Sequence, residues 1–201
     1  VSIQIVTAPS IPVKGVSSSK KSLEKSMQEI LSMDWQSAKI VIEHADSSYN
    51  NLPFEKGFLT LENEIEVLSK FSDMHDVGIT INWARSAIEG KDIYKPLEHI
   101  KFALKYNLLV GLIFSGLSND DKNYGNWKDT HMPFAKSFNV EYFEKNSLLT
   151  YENISKTLAL LDLNTLDYLG IKLLSMPLDS FDIDRRVGLN KDAIFILENI
   201  I

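Results

Sequence analysis

The stretch GITINWARSAIEGKDIYKPLEHIKFALKYNLLVGLIF, residues 78–114, contains the pattern that decides the fold. Its two ends, 78–82 and 108–114, are apolar at nearly every position, as strands are when both faces of their sheet are covered. Between them, apolar residues recur at helical spacing over 97–104, directly after Pro96, which is placed as a first-turn proline. A strand, a helix and a second strand in this order predict a parallel βαβ unit.

The same alternation extends in both directions along the chain. Further strands are predicted at 2–7, 38–43 and 168–174. Apolar residues at helical spacing predict four further helices. Two of them follow capping residues: Leu23, Met27, Ile30 and Leu31 come after the serines at 17–19, and Ile154, Leu158 and Leu161 come after Thr150. The other two are marked by Ile65, Leu68 and Phe71, and by Ala193, Ile194 and Leu197 after Asn190. No linker divides these elements, so residues 1–201 are predicted to form one α/β domain with a parallel sheet.

The connections between the predicted elements are unequal in length. The chain returns from each helix to the next strand in a few residues, but the segments that follow the strands, 45–61, 83–95, 115–149 and 175–189, are much longer than usual. The long segments all lie where the strands' carboxyl ends emerge, which is the functional face of α/β sheets and barrels. Two architectures fit five units in 201 residues: an open doubly wound sheet, or the later part of a (β/α)8 barrel, which typically needs about 250 residues.

The composition excludes several classes of protein. A hydrophobic fraction of 44% beside a net charge of only −6 excludes a disordered chain. The absence of cysteine excludes disulfides and thiolate metal sites, and it is consistent with a cytoplasmic protein. The acidic balance, 27 Asp+Glu against 21 Lys+Arg, argues against nucleic-acid binding. No apolar run approaches the roughly 20 residues of a membrane-spanning helix, so no membrane association is expected.

Familiar catalytic signatures are missing from the sequence. It contains no Walker loop, no GxGxxG after a strand, no HExxH and no GxSxG. ATPase, dinucleotide-binding and common hydrolase functions therefore lose their best support. The chain begins at Val1 rather than Met, which fits processing or a fragment.

Glu43, His44 and Asp46 follow the second predicted strand. Because side chains alternate along a strand, Glu43 and His44 should point to opposite faces. A partly desolvated Glu43 at the strand end would suit a general base. The alternative is a structural carboxylate paired with Arg85 or Lys172.

The third predicted strand ends at Asn82, and Trp83 and Arg85 follow it. Arg85 has the planar fork that binds a carboxylate or phosphate, and Trp83 could stack on the apolar face of a sugar ring. The alternative places Trp83 in the core and pairs Arg85 with Glu89.

Asp129 and His131 lie in the longest predicted loop, close to Trp127. An Asp-x-His pair can transfer protons or bind a metal. His75 and His99 lie on or after helices, away from the strand ends, and are not expected to take part.

Lys172 interrupts the apolar run of the last predicted strand. A buried ammonium needs a partner, so Lys172 is either an acid, base or anion clamp, or the partner of Glu43 in an internal salt bridge. Arg185 and Arg186 either bind phosphate or form solvated surface.

Six segments together resemble the xylose-isomerase-like sugar phosphate isomerase/epimerase superfamily: VIEHAD (41–46), EKGFL (55–59), TINWARSAIEG (80–90), FSG (114–116), YGNWKDTHMPF (124–134) and YLGIKLL (168–174). More narrowly, they resemble an uncharacterised subfamily with INW-x-RS-x-IEG and W-x-D-x-H-x-P blocks. The resemblance implies a (β/α)8 TIM barrel that this chain enters near strand four, so that about three N-terminal units are missing. The two outer strands would then have unpaired edges, which another chain or a missing segment should cover.

The resemblance also implies a divalent metal held at the strand ends, but this sequence departs from that pattern. Glu43 matches a family ligand, whereas Asn82, Arg85, Ser115 and Lys172 stand at or near other ligand positions. A protonated lysine cannot donate to a cation, and such oxygen-type sites depend on several carboxylates. The family metal site is therefore expected to be degraded, and the cofactor is left unassigned. A rebuilt site from Glu43, Asp129 and His131 is an alternative.

These observations favour a sugar or sugar-phosphate isomerase or epimerase that moves a proton next to a carbonyl. The expected catalytic residues are Glu43 as base and Lys172 or His131 as acid or electrophile. The expected substrate-binding residues are Asn82, Trp83, Arg85, Ser115, Trp127 and Asp129. The alternative is a carbohydrate-binding barrel without catalysis. Both functions require Glu43, Asn82, Ser115 and Lys172 to converge around one hollow.

Overall fold

A computed structural model of the chain describes residues 1–10, 15, 17–178 and 182–201. Five strands alternate with helices along the chain. The strands are β1 (Ser2–Ile5), β2 (Lys39–Glu43), β3 (Val77–Asn82), β4 (Leu109–Phe114) and β5 (Tyr168–Ile171). The helices are α1 (Lys20–Leu31), α2 (Leu61–Leu68), α3 (Trp83–Gly90), α4 (Lys95–Lys105), α5 (Tyr151–Leu158) and α6 (Ile183–Glu198), with a short 3₁₀ turn at Leu163–Thr165.

The strands form one parallel sheet in the order β1-β2-β3-β4-β5. This sequential order is that of a barrel wall, whereas a doubly wound sheet reverses its order part-way. The sheet is strongly curled, so that its two outer strands come within side-chain reach of each other. This is shown by the hydrogen bond that Gln4 Nε2 on β1 donates to Tyr168 Oη on β5 at 2.7 Å. The α/β prediction is confirmed, and the architecture is a half-barrel consistent with part of a TIM-like barrel.

Tyr168 crosses the concave face of this half-barrel. Its hydroxyl also meets the hydroxyl of Thr80 on β3. A Cβ at Gly111 would lie 2.3 Å from Tyr168 Cζ, so glycine at this position lets the ring lie against β4. A hollow of about 710 Å³ lies on the amino-terminal side of this ring, where Lys39 contacts Asp167 at 2.7 Å.

The predicted helices begin at side-chain caps. Ser19 caps α1, Thr60 caps α2 and Thr150 caps α5, each by accepting a backbone N–H of the first turn. Pro96 lies in the first turn of α4, as predicted. The convex side of the sheet packs against these helices to form the core, in which Ile42, Ile81, Leu112 and Phe114 are buried together with Met27.

Two helices differ from the sequence prediction. Residues 83–90 form α3 rather than a loop, because the Asn82 side chain accepts hydrogen bonds from Ala84 N and Arg85 N and so starts a helix directly at the strand end. Helix α6 starts at Ile183, well before Asn190, because Asp182 caps it by accepting from Arg185 N. Part of the predicted 175–189 loop, residues 179–181, lies outside the described residues.

The long connection between β4 and α5 contains no helix or strand, as the sequence predicted for 115–149. Isolated β-bridges, such as the antiparallel one between Gly116 and Met132, fix its conformation. Among the described residues, β1 and β5 pair with one neighbour each, so each has a free edge. In the same part of the chain, no helix combines the length and apolarity needed to cross a bilayer.

Candidate functional site

Glu43, Asn82 and Lys172 meet at the carboxyl ends of β2, β3 and β5. Lys172 Nζ donates to both carboxylate oxygens of Glu43, at 2.9 and 3.1 Å, and Asn82 Nδ2 donates to Glu43 Oε1 at 3.1 Å. Glu43 and Asn82 are buried, whereas the Lys172 side chain is 35% exposed. The predicted salt bridge between Glu43 and Lys172 is therefore confirmed.

Ser115 and Arg85 extend this group of side chains. Ser115 Oγ, just after β4, donates to Asn82 Oδ1 at 2.9 Å, and Arg85 Nη1 lies 3.3 Å from Glu43 Oε1. Glu43, Asn82, Ser115 and Lys172 thus come together as expected, but the hollow expected between them is not confirmed. They meet through direct hydrogen bonds and the Glu43–Lys172 ion pair.

Arg85 connects Glu43 to the long loop. Its Nε donates to Asp129 Oδ2 at 3.0 Å, and Lys56 Nζ also donates to that oxygen. His131 Nδ1 lies 3.2 Å from the other oxygen, Oδ1. The predicted pairing of Arg85 with Glu89 is wrong, because α3 directs Arg85 toward Glu43 and Asp129.

The loop backbone around Asp129 adopts an uncommon conformation. Trp127 and His131, on either side of it, have φ of 53° and 52°, in the left-handed region that few non-glycine residues occupy. The Asp129 N–H donates to Glu55 Oε2 at 2.7 Å, which fixes the loop between them. Such conformations cluster at functional sites, so they support a role for this loop.

Three buried polar atoms in this cluster have no hydrogen-bond partner among the described residues. They are Arg85 Nη1, Asp129 Oδ1 and His131 Nδ1. Nearby atoms of opposite charge are close but misaligned for hydrogen bonding. Asp129 Oδ1 and His131 Nδ1 face each other at 3.2 Å, and Arg85 Nη1 lies 3.3 Å from Glu43 Oε1, so each of these atoms has a charged neighbour outside ideal hydrogen-bond geometry.

The electrostatic state of Asp129 follows from its neighbours. Burial alone would raise its pKa, but the His131 side chain and the cations Arg85 and Lys56 outweigh burial and hold the pKa of Asp129 well below its usual range. Asp129 is therefore a carboxylate at neutral pH and into moderate acid.

This pKa predicts a pH dependence of stability. A carboxyl group whose pKa is lower in the folded chain contributes stability above its unfolded pKa, near 3.9, and loses it as the pH falls. We expect Asp129→Asn to be less stable than wild type at pH 7 and to lose less stability between pH 5 and pH 3. Urea unfolding across that range measures this. Asp73→Asn, at an exposed position, is the control; equal slopes for wild type and Asp129→Asn would contradict the prediction.

A metal ion held by Glu43, Asp129 and His131 does not fit this arrangement. The ammonium of Lys172 contacts Glu43, and Lys56 and Arg85 contact Asp129, so protein cations already occupy the oxygens that a metal would need. The chemistry of this cluster is therefore that of its own side chains.

Other predicted residues lie away from the cluster. Trp83 is fully buried among core residues, and its Nε1 donates to Thr157 Oγ1 at 3.2 Å. The core alternative is therefore confirmed, and stacking of Trp83 on a sugar is wrong. Trp127 is partly buried against the core, below the Lys91 ammonium at 6.0 Å from the ring. Arg185 pairs with Glu144, and Arg186 Nη2 donates to Leu178 O at 3.0 Å.

A second polar cluster lies on the opposite side of β2, where alternation places His44. His44 Nδ1 is 2.7 Å from Glu64 Oε2 of α2, and its Nε2 is 3.4 Å from Glu89 Oε2 of α3. His99 Nε2 of α4 is 3.1 Å from Glu89 Oε1. All four side chains are buried. His99, which was not expected to take part in the strand-end site, lies in this second cluster and not with Glu43 and Asp129.

Sequence reasoning missed Glu64, Glu89 and His99, although two of them carry a signal. Glu64 falls on the apolar stripe of α2 and His99 on that of α4, positions where a polar side chain must find a buried partner. Glu89 gives no such signal, because residues 83–90 were predicted to be a loop.

The charges in this second cluster are interdependent. Burial alone would lower the pKa of His44, but Glu64 and Glu89 raise that pKa to about 10. Burial raises the pKa of Glu64, while His44 and His99 hold the pKa of Glu89 below its usual range. Burial also lowers the pKa of His99. One proton on His44 thus stabilises the two flanking carboxylates.

Comparison with known proteins gives two matches. A family described as "Domain of unknown function (DUF4862)" matches residues 1–189. A Salmonella typhimurium protein, "Uncharacterized protein STM3670", is 34% identical over 198 residues, which is 98% of this chain. The chain spans 59% of the length of that relative.

Proposed function

The chain belongs to the DUF4862 family, and we propose that it acts on a sugar or sugar phosphate as an isomerase or epimerase, by proton transfer next to a carbonyl. The resemblance to xylose-isomerase-like barrels supports the substrate class. The half-barrel, with its polar cluster at the strands' carboxyl ends, is consistent with that resemblance.

The observation that carries the proposal is the meeting of Arg85, Asp129 and His131 beside the Glu43–Lys172 pair at the carboxyl ends of the strands. A guanidinium N–H, a carboxylate oxygen and an imidazole nitrogen match the donors and acceptors of a polyhydroxylated substrate. The exposed parts of His131 and Lys172, 29% and 35% of their side chains, give a substrate access to the cluster.

His131 is the best-placed group for proton transfer. Asp129 beside Nδ1 favours the tautomer with hydrogen on Nδ1, which leaves Nε2 as an acceptor, as in other carboxylate–histidine pairs. Lys172 and Arg85 would stabilise the oxygen that gains negative charge in an enediolate. Glu43 already accepts from Lys172 and Asn82, so we assign it to positioning Lys172 rather than to the role of base.

A non-catalytic carbohydrate-binding barrel is the second candidate. It is favoured by the same contacts of Glu43, because a carboxylate held by Lys172, Asn82 and Arg85 is poorly placed to accept a substrate proton. The two functions share the binding position and differ in whether a proton moves.

A deuterium-exchange experiment separates these functions. The purified chain is incubated in D₂O with a panel of aldoses, ketoses and their phosphates, and proton NMR follows the hydrogen on the carbon next to the carbonyl. The isomerase proposal predicts loss of that signal for at least one compound, with slower exchange in Glu43→Gln. Saturable binding without exchange would instead support the binding barrel. Exchange at the same rate in Glu43→Gln would contradict the role given to Glu43, and neither binding nor exchange would overturn both functions.

We also propose that the protein binds a small-molecule sugar and that it is located in the cytoplasm. The free edges of β1 and β5 would pair with another chain or with a further part of the gene product.

A further inference from the structure

Beyond the sugar site, we propose that His44, Glu89 and His99 form a binding site for one divalent transition-metal ion, best matched by Zn²⁺. A ligand atom of each residue lies within 4.8 Å of the other two. Two imidazoles and one carboxylate are a common donor set for zinc. The site lies between the sheet and the helices that cover its convex face, on the opposite side of β2 from the cluster around Glu43 and Asp129.

The separations are close to those of a bound ion. A tetrahedral ion with bonds of about 2.0–2.1 Å holds its donor atoms about 3.3 Å apart. His44 Nε2 is 3.4 Å from Glu89 Oε2, and His99 Nε2 is 3.1 Å from Glu89 Oε1. Because the two contacts use different oxygens of Glu89, one ion would be held by both oxygens, or by one of them after the carboxylate rotates.

His44 Nε2 points at the ligand position. The side chain is fully buried, and Nε2 has no hydrogen-bond partner among the described residues. Glu89 Oε2 lies 3.4 Å from it but outside hydrogen-bond geometry, so an ion bound between these two atoms would give Nε2 the partner that it lacks.

The surrounding contacts orient all three ligands. Glu64 holds His44 Nδ1 at 2.7 Å, and Ser86 Oγ lies 2.9 Å from His99 Nδ1, so both rings present Nε2 toward Glu89. Metal-bound histidines almost always have such a partner on the other nitrogen, often a carboxylate. Thr7 Oγ1 donates to Glu64 at 2.9 Å and supports it in turn.

The position of the cluster indicates a structural ion. His44 follows β2, Glu89 belongs to α3 and His99 to α4, so one ion would join three elements. Lys95 lies beside the cluster, with Nζ 4.0 Å from Glu89 Oε1 and 3.3 Å from Glu98 Oε2. The competing state is the ion-pair network with a proton on His44, which needs no metal.

A metal titration tests this proposal on the full chain. Protein stripped with chelator and dialysed is titrated with Zn²⁺, followed by elemental analysis after gel filtration, and with Co²⁺, followed by visible absorption. We expect one equivalent of Zn²⁺ with a raised melting temperature, and cobalt absorption typical of tetrahedral nitrogen and oxygen ligands. His99→Asn keeps a nitrogen for Ser86 but removes Nε2, and it should weaken Zn²⁺ binding by more than about 100-fold, since loss of an outer-shell partner alone costs 10–100-fold.

Two further variants complete the experiment. Glu89→Gln should also lose the bound equivalent, and it provides an independent test should His99→Asn fail to fold. His75→Asn, at an exposed position, should bind like wild type. Absence of stoichiometric binding to the wild-type chain, or full binding by folded His99→Asn or Glu89→Gln, would overturn the proposal.

Discussion

Replacing Trp83 with alanine is expected to lower the free energy of unfolding by about 3–5 kcal/mol, the usual range for deleting a buried tryptophan. The indole is fully buried at the start of α3, between β3 and α5, and donates to Thr157. Alanine would leave a cavity in a closely packed core and remove the hydrogen bond to Thr157 Oγ1, which still donates to Asn153 O.

Urea unfolding monitored by circular dichroism at 222 nm measures this effect. Trp83→Phe is the matched variant: it keeps most of the buried volume, loses the hydrogen bond to Thr157, and should cost about 1–2 kcal/mol. Trp127→Ala, in the loop, should cost less than Trp83→Ala, because its ring is only partly buried. A loss below about 1 kcal/mol for Trp83→Ala would contradict the core assignment, since surface substitutions lie in that range.

The sequence predicted the sheet well because each strand carries a strong local signal. The runs that became β2, β3 and β4 are nearly continuously apolar, and in the structure they are buried on both faces. Pro96, Thr150 and the serines before α1 likewise act within one turn of their helices. Such signals can be recognised without knowing what the element packs against.

Helix α3 was missed because its cause is a contact and not a periodic pattern. Residues 83–90 are too few for helical periodicity to identify a helix, and one crossover helix was already assigned to that βα unit. The decisive feature is the Asn82 side chain, which caps α3 while its amide also contacts Glu43 and Ser115. The position of Asn82 at a strand end does not by itself reveal that its side chain both caps α3 and contacts Glu43 and Ser115.

The two polar clusters show what alternation can and cannot predict. Glu43 and His44 were expected on opposite faces of β2, and each became the centre of a separate buried network. The partners of Glu43, which are Asn82, Arg85 and Lys172, lie at or just after strand ends, where the sequence analysis expected them. The partners of His44 come from α2, α3 and α4, and only the three-dimensional packing brings them together.

The same geometry predicts the largest effect on activity. His131→Asn is expected to slow proton exchange on the sugar substrate by about 10²–10⁴-fold, the usual contribution of a general acid or base. Asparagine keeps a nitrogen near Asp129 but removes Nε2, the proposed proton acceptor. It also tolerates the left-handed backbone at this position, where φ is 52°, so the loop should keep its conformation.

The readout is the rate of exchange in D₂O together with substrate affinity, because the two proposed functions predict different outcomes for this variant. If His131 transfers the proton, the rate should fall while binding changes only a few-fold. If its ring only contacts the ligand, affinity should fall and any exchange at saturation should persist. His75→Asn makes the same chemical change at an exposed position shortly before β3 and should leave both quantities unchanged. An unaltered exchange rate in His131→Asn would remove His131 from the mechanism and leave Lys172, the other exposed member of the cluster, as the group to test for proton transfer.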